Sequence, residues 1–336
     1  MEDKNLNRRI FIKTSALGAT GALFSKQMMG HETAGYIEKK SNQRKIITRK
    51  LGKTGMELPV ISFGLSLADN PNLIKAAMSA GIKHFDTAHV YQKGNNEKIL
   101  GEVLKNYPRT SFTIATKVKP EGKDGFLKKL NISLERLKLD YVDILYLHDV
   151  SSRETVLSES NIDTLQTARK LGKTKFIGVS THSNEPEVIE AAIESKVYDV
   201  ILTAYNFKQD HKELLTKRIK EASKAGIGIV GMKSMAGGKL GKDAEKMHFQ
   251  AALKWVLKNP HVHTIISGIT NFTELEENMA IMDNLKLTKE EKSLLSFASL
   301  QQGLYCNGCQ ECTRSCKKGL PIPGMMRAFM YAYGYG

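Results

Sequence analysis

Polar side chains recur at the ends of apolar runs in this chain, at a spacing that limits the folds it can adopt. Asp86, Lys117, His148 and Ser180 each close such a run, and each lies about 31 residues from the next. One strand and the helix that follows it take about 30 residues, so this period is typical of a repeating strand–helix unit. In a closed barrel of eight parallel strands, all strand ends face one rim, where active sites lie. The spacing therefore predicts one pocket lined from successive strands.

Eight apolar runs fit the strands of such a barrel. They occupy residues 60–64, 82–86, 112–117, 142–148, 176–180, 200–203, 227–232 and 264–267. Helical periodicity fills the intervals, for example over residues 124–137, 161–171, 186–195 and 249–257. Strands that alternate with helices indicate a parallel sheet. No Gly-x-Gly-x-x-Gly follows the first strand, which argues against an open dinucleotide-binding fold. We predict an α/β protein with a (β/α)8 TIM barrel over residues 46–285.

Four polar residues, Asp86, Tyr91, Lys117 and His148, suit one kind of chemistry. A tyrosine hydroxyl, with a pKa near 10, is a poor acid at neutral pH. A lysine ammonium beside it lowers that pKa, and a carboxylate keeps the lysine charged. We expect Tyr91 to donate a proton, and His148 to position a carbonyl oxygen. The hydride would come from a nicotinamide cofactor, because side chains do not supply one. Singly, each residue also has a structural explanation, such as a helix cap or a buried histidine.

Several separated motifs resemble those of the aldo-keto reductases. Residues 81–91 read Gly-Ile-Lys-His-Phe-Asp-Thr-Ala-His-Val-Tyr and are followed by Asn96 and Glu97. Further matches occupy residues 114–117, 145–148, 177–180, 267–271 and 275–278. Residues 49–55 resemble the short hairpin that closes the barrel floor in that family. The resemblance implies the catalytic roles given above and a small-molecule carbonyl or sugar-like substrate.

The resemblance also implies residues at the nicotinamide end of a cofactor site. Ser180 and Thr181 match a serine and an asparagine that hold the nicotinamide carboxamide, while Leu202 stands where a glutamine is usual. After the seventh strand, Lys233 and Ser234 follow without the usual stacking aromatic, and we expect Lys233 to face the pyrophosphate.

At the adenine end, Glu277 and Asn278 match the family's adenine contacts. Gly268 and Glu274 stand where basic residues usually meet a ribose 2′-phosphate. A glutamate repels that phosphate, so the resemblance implies NAD(P)H as cofactor with NAD favoured over NADP.

The N-terminal residues resemble a twin-arginine export signal. Arg8 and Arg9 precede a phenylalanine and a weakly apolar run over residues 14–24. That run is too short to span a membrane as a settled helix. We assign residues 1–30 to the signal and residues 31–45 to a polar linker, and expect the twin-arginine export machinery to deliver the protein to the periplasm. The alternative is a basic N-terminus on a cytoplasmic protein.

The C-terminal extension, residues 286–336, holds all four cysteines of the chain. Their spacing matches that of bacterial ferredoxins: Cys306, Cys309, Cys312 and Cys316. We expect them to bind a 4Fe-4S cluster. However, Lys317 stands where a proline is usual, and in two-cluster ferredoxins the fourth cysteine ligates the other cluster. A zinc site and a pair of disulfides therefore stay open as alternatives.

The composition agrees with a globular enzyme of one large domain, since the chain has 336 residues, of which 41% are hydrophobic and 25% charged. The formal charge is +15, but the lysines are spread over predicted helix faces, so we expect a solvated basic surface and no nucleic acid partner. Two other classes stay open: a non-catalytic barrel that binds a ligand, and a module that carries a cluster between an electron donor and an acceptor. Export would separate the enzyme from soluble nucleotide, which would then have to travel bound.

Overall fold

Eight parallel strands close into a barrel in the computed structural model, which describes residues 45–236, 249–300, 311–318 and 320–329. The strands of these residues are β1 (Thr48–Lys50), β2 (Glu57–Pro59), β3 (Ile61–Gly64), β4 (His84–Asp86), β5 (Thr113–Val118), β6 (Val142–Leu147), β7 (Thr174–Thr181), β8 (Val200–Ala204), β9 (Gly228–Met232) and β10 (Thr264–Gly268). From β3 to β10, each strand pairs with the next, and β10 closes the ring by pairing with β3. The predicted fold class is confirmed, and each of the eight predicted strands is present.

Helices follow the barrel strands and surround the sheet, and the last three of the described helices belong to the C-terminal extension. They are α1 (Pro71–Ser79), α2 (Asn95–Leu104), α3 (Lys123–Leu137), α4 (Arg153–Leu157), α5 (Glu159–Lys170), α6 (Glu185–Ser195), α7 (Lys212–Lys224), α8 (Phe249–Leu257), α9 (Phe272–Ala280), α10 (Lys289–Leu300), α11 (Glu311–Arg314) and α12 (Ile322–Phe329). Side chains that accept from a backbone N–H fix several starts, as Asn70 does for α1 and Asn271 for α9. Among the described residues, no helix combines the length and the apolar character that crossing a membrane requires. The predicted signal and linker lie outside the described residues.

A hairpin of β1 and β2 closes the floor of the barrel, as predicted. Leu51 and Leu58 are fully buried and pack against inward-facing residues of the barrel strands. Gly52 has φ +52°, and a Cβ there would collide with the backbone of Gly228 in β9. Only glycine suits so close an approach at this backbone angle. The site must therefore open at the other end, where the strands finish.

Candidate active site

The four predicted catalytic residues meet at the C-terminal rim. Asp86 ends β4, Lys117 lies near the end of β5, and His148 directly follows β6. The Lys117 ammonium donates to Asp86 Oδ1, to the Thr87 carbonyl at 2.7 Å and to the Tyr91 hydroxyl at 3.3 Å. The rings of Tyr91 and His148 pack edge to face, with centroids 6.0 Å apart. Three successive strands and one turn therefore assemble a single polar cluster.

The turn after Tyr91 holds a strained backbone. Gln92 and Lys93 have φ of +49° and +56°, in the left-handed region that non-glycine residues seldom adopt. Gly94 follows at φ +89°, and a Cβ there would collide with the Arg136 guanidinium. Arg136 is itself held by the buried carboxylate of Glu97 at 3.2 Å. The contacts of the turn with α2 and α3 thus maintain a backbone conformation that would be unfavourable in an isolated turn.

Asn96 fixes the loops on both sides of the cluster. Its amide donates to the carbonyls of Leu65 at 2.7 Å and Ala68 at 2.9 Å, while its oxygen accepts from the Thr87 hydroxyl at 2.5 Å. The loops after β3 and β4 are therefore tied together through one side chain. The sequence marked Asn96 and Glu97 only as part of a family motif, and the structure shows what these two side chains contact.

Burial sets the direction of the pKa shift for two members of the cluster, Tyr91 and Asp86. It raises the pKa of Tyr91, and the Lys117 charge offsets only part of that rise. Burial also raises the pKa of Asp86, against the pull of Lys117. For Lys117, burial opposes the charge, but Asp86 and Tyr91 outweigh it and raise its pKa. The expectation that Lys117 lowers the pKa of Tyr91 below its ordinary value is therefore wrong in net direction, because desolvation is the larger effect. Tyr91 keeps its proton at neutral pH.

His148 is a neutral imidazole in this environment. Burial, with smaller contributions from Lys117 and Lys119, lowers the pKa of His148 from 6.5 to about 3. Its Nδ1 is buried and has no hydrogen-bond partner among the described residues. A neutral ring carries one N–H, so it donates to a carbonyl oxygen without adding charge.

A cavity of about 770 Å³ opens at the rim above the cluster. Asp86, Tyr91 and His148 line one part of it, and residues after β3, β9 and β10 line much of the remainder. This volume lies in the range of small-molecule and cofactor sites, which commonly measure about 300–1,000 Å³. The arrangement can therefore present a neutral, buried hydroxyl and a neutral imidazole to one bound carbonyl group.

Known proteins resemble this chain in sequence and in fold. A sequence model of the aldo/keto reductase family matches residues 64–250. The L-galactose dehydrogenase of Arabidopsis thaliana is 30% identical over 302 residues, which covers 75% of this chain and 93% of the plant protein. The chain belongs to the aldo/keto reductase family. The prediction of an aldo-keto reductase-like oxidoreductase is thereby confirmed.

Two further relatives agree with this membership. The L-glyceraldehyde 3-phosphate reductase of Escherichia coli K12 is 26% identical over 317 residues, covering 72% of this chain and 89% of that enzyme. An aldo-keto reductase from Klebsiella pneumoniae, solved in complex with NADPH, is 20% identical, with a TM-score of 0.64 over 77% of this chain and 96% of that one. This second likeness shows the shared fold.

Five of the seven cofactor-binding residues predicted for this aldo/keto reductase line the cavity, namely Lys233, Ser234, Gly268, Glu277 and Asn278. The other two, Ser180 and Thr181, are fully buried and do not line it. The Ser180 hydroxyl accepts from the backbone N–H of Asp149 at 3.0 Å, and the Thr181 hydroxyl donates to the Ser183 carbonyl at 2.8 Å. Their role toward a carboxamide stays a prediction.

Two departures from the family pattern have clear locations. Leu202 is fully buried inside the barrel, packed with residues such as Leu51, and does not line the cavity. Glu274 does line it, and one of its oxygens accepts from the backbone N–H and the hydroxyl of Thr270, at 2.6 Å and 2.9 Å. The enzyme therefore presents a carboxylate at the rim after β10.

Three charged or titratable residues of the cavity wall were not predicted. Lys119, Asp149 and His182 line the cavity beside Tyr91 and His148. Each lies one or two residues after a position that the sequence did single out, at the end of β5, β6 or β7. That position at a strand end was the signal that could have identified them.

Only part of the predicted cysteine site is described. Cys312 lies exposed in α11 and Cys316 is half-buried after it, whereas Cys306 and Cys309 lie outside the described residues. Within the described part of the chain, no group of three or more candidate metal ligands comes together. The helix that follows the cysteines does reach the active site, because Gly324 and Ala328 of α12 line the same cavity as Tyr91.

Proposed function

We propose that this aldo/keto reductase reduces the carbonyl group of a small molecule, or oxidises the matching alcohol, with a nicotinamide nucleotide. One observation carries the proposal. The buried ammonium of Lys117 contacts both Asp86 and the hydroxyl of Tyr91, at the wall of a ligand-sized cavity. This is the arrangement that a tyrosine needs in order to release a proton and take it back within one turnover.

The residues around the cavity fit such a nucleotide. Ser234 is buried at the cavity wall, and its hydroxyl has no hydrogen-bond partner among the described residues. Lys233 adds a positive charge beside it, and α9 begins at the cavity, where its N-terminus favours an anionic group. When bound, the nicotinamide supplies the hydride that side chains cannot provide.

The chain's own residues handle the proton. Tyr91 holds its proton at neutral pH and donates it to the carbonyl oxygen. Lys117, at 3.3 Å from that hydroxyl, stabilises the phenolate that remains. Neutral His148 donates an N–H to the same carbonyl oxygen and so orients it. Asp86 keeps Lys117 charged and in place.

The test is turnover by Tyr91→Phe, measured as the change in nucleotide absorbance with small aldehydes and ketones. General acid catalysis contributes about 10²–10⁴-fold, so we expect a loss of that size in kcat at an unchanged melting temperature. Tyr198→Phe is the matched control, since the Tyr198 hydroxyl donates to the Val156 carbonyl and does not line the cavity. Wild-type turnover in Tyr91→Phe would refute the role of Tyr91. A wild-type protein that binds nucleotide but reduces nothing would favour the non-catalytic alternative.

We also propose that the nucleotide is NAD rather than NADP. The carboxylate of Glu274 lines the cavity at the start of α9. It repels a 2′-phosphate and accepts hydrogen bonds from the two hydroxyls of an unphosphorylated ribose. We expect kcat/KM with NADH to exceed kcat/KM with NADPH. Glu274→Gln should reduce the ratio of these two constants about fivefold or more, because a charge interaction of about 1 kcal/mol corresponds to that factor. Glu276→Gln, on the exposed side of α9, is the control. An unchanged ratio in Glu274→Gln would exclude this role.

For the C-terminal extension, we propose a 4Fe-4S cluster held by Cys306, Cys309, Cys312 and Cys316. The ferredoxin-like spacing supports it. Anaerobically purified protein should show the broad visible absorbance of a cluster and about four iron and four sulfide per chain, and serine at any one of the four positions should reduce both. One zinc ion without sulfide, or two disulfides in the mass spectrum, would identify the alternatives instead.

A cluster there would give electrons a route to the active site. The helix α12, which follows the cysteines, contributes Gly324 and Ala328 to the cavity wall. A cluster held by the four cysteines would supply single electrons. Two of these electrons and one proton would return an oxidised nicotinamide to its reduced form, so an external electron donor could replace soluble nucleotide. Cys309→Ser should keep one hydride transfer from pre-reduced enzyme but lose multiple turnover with an artificial donor such as reduced viologen. We propose that the exported enzyme keeps its nucleotide bound. Purified protein that holds no nucleotide and binds NADH loosely would contradict this.

We propose that the protein is exported to the periplasm by the twin-arginine machinery. The support is the arginine pair ahead of a weakly apolar run. Replacing Arg8 and Arg9 by lysines should hold the protein in the cytoplasm, as fractionation would show. Equal periplasmic amounts of the parent and the double variant would favour the cytoplasmic alternative.

A further inference from the structure

The residue that follows His148 has an unusual backbone. Asp149 has φ +61°, so it lies in the left-handed region, which costs a residue with a side chain free energy even though aspartate tolerates it better than most. Two backbone N–H groups that donate hydrogen bonds to Ser180 stabilise this conformation. The Asp149 N–H donates to the Ser180 hydroxyl at 3.0 Å, and the Val150 N–H donates to the Ser180 carbonyl at 2.8 Å. A strained residue held this firmly beside a catalytic histidine indicates a function at the site.

The Asp149 side chain belongs to a polar wall of the cavity, formed with Lys119 and His182. One carboxylate oxygen lies 3.8 Å from the Lys119 ammonium, and the other lies 4.0 Å from His182 Nε2. The Asp149 carboxylate also affects Tyr91, because its negative charge makes a small contribution to the raised pKa of the Tyr91 hydroxyl. Because Asp149 directly follows His148 and lines the same cavity as Tyr91, the polar wall lies beside the two groups proposed to bind the carbonyl oxygen.

Hydroxyl groups match the chemistry of this wall better than any charged group. A hydroxyl both donates and accepts, and so needs an acceptor and a donor at once. Asp149 supplies the acceptor, and Lys119 and His182 supply the donors. A substrate carboxylate would be repelled by Asp149, and a substrate ammonium by Lys119. An apolar substituent can neither donate a hydrogen bond to Asp149 nor accept one from Lys119 or His182.

We infer that Asp149, with Lys119 and His182, binds a hydroxyl on the carbon next to the substrate carbonyl, and so selects hydroxylated, sugar-like aldehydes and ketones. The inference rests on the proposed function, because it assumes that Tyr91 and His148 bind the carbonyl oxygen. Asp149 is a specificity-determining residue in this account, and Ser180 is a positioning residue that acts through it.

The test compares two three-carbon aldehydes, glyceraldehyde and propanal, which differ in the hydroxyls. The readout is the ratio of kcat/KM for glyceraldehyde to kcat/KM for propanal, measured with NADH and with NADPH. We expect the wild-type ratio to favour glyceraldehyde, and Asp149→Ala to reduce the ratio about 10- to 100-fold, the size of one hydrogen bond to a charged group. Asp149→Asn should reduce it less, because the amide still accepts a hydrogen bond.

Two controls separate this role from a structural one. Asparagine tolerates the left-handed backbone as aspartate does, so Asp149→Asn keeps the fold if Asp149→Ala does not. Asp163→Asn removes one charge from a pair with Lys123 on the surface, which does not line the cavity, and should leave the ratio unchanged. A ratio that stays the same in both Asp149 variants overturns the inference while the proposed function stands. A wild-type protein that reduces neither aldehyde with either nucleotide, nor any other carbonyl compound, overturns the proposed function itself.

Discussion

Replacing Lys117 by methionine should damage stability and activity together, because the ammonium is the centre of the buried cluster. Lys117 and Asp86 are each only 1% exposed. Removing one partner of a buried ion pair costs about 3–5 kcal/mol, since the other charge stays buried alone. The Thr87 carbonyl and the Tyr91 hydroxyl lose a donor as well. We expect the free energy of unfolding to fall by at least about 3 kcal/mol, and kcat to fall by at least the general-acid factor of about 10²-fold.

Adding Asp86→Asn to that variant should separate the two effects. Asparagine removes the carboxylate charge that Lys117→Met leaves buried without its partner, so the double variant should recover more than half of the lost free energy of unfolding but none of the activity. Urea denaturation followed by circular dichroism measures the first quantity, and steady-state kinetics the second. For the stability measurement, the control is Lys119→Met, because the removal of this largely exposed lysine should lower the free energy of unfolding by less than about 1 kcal/mol. If the double variant is no more stable than Lys117→Met alone, the account of an uncompensated buried charge is refuted.

Three further changes test the neighbouring structure. Gln92→Val should unfold about 1–2 kcal/mol more easily than Gln92→Gly in urea, because a branched side chain resists the left-handed backbone; equal stabilities would show that the turn is relaxed. Asn96→Asp places a carboxylate against two carbonyl oxygens and should lower both the free energy of unfolding, by about 3 kcal/mol, and kcat; a variant as stable as wild type would contradict the inter-loop contacts. Burial lowers the folded-state pKa of His84, His148 and His263 to about 4, 3 and 4, so the unfolded chain binds more protons below pH 6.5. Stability should therefore fall as the pH drops from 6.5 toward 4, by up to about 1.4 kcal/mol per pH unit for each histidine; denaturation midpoints that do not change between pH 7 and pH 5 would argue against neutral burial.

The barrel and the polar cluster at its rim could be predicted because both depend on periodicity. A strand–helix period repeats along the chain, and each strand end contributes to the same rim. Asp86, Lys117 and His148 occupy equivalent positions in successive units, so their convergence follows from the period alone. The predicted strand ends were correct to within one residue at these positions.

Side-chain direction and desolvation could not be predicted in the same way. Ser180 ends a predicted strand as His148 does, yet its hydroxyl bonds to the backbone of Asp149 rather than lining the cavity. A shift of one residue along a strand moves the side chain to the other face of the sheet. At a strand end, the sequence pattern does not determine which face a given side chain occupies. The direction of the Tyr91 pKa depends on how much of the ring is buried, which arises from packing between elements far apart in the chain. The position of α12 has no periodic signal at all.

The seam between β3 and β10 joins the beginning of the barrel to its end. The hydroxyls of Ser62 and Thr264, 202 residues apart in sequence, lie 2.7 Å apart across it. Arg49 of the hairpin also bonds to the carbonyl of Val262 in the connection before β10. A growing polypeptide therefore cannot finish this fold until the ribosome has released Gly268, and until then β3 and β9 offer open edges to other chains. Such distant pairing is also slow. If the proposed export route operates, the N-terminal signal emerges from the ribosome long before the barrel can close. A partner that covers the signal during that interval would prevent transport of an unfinished barrel.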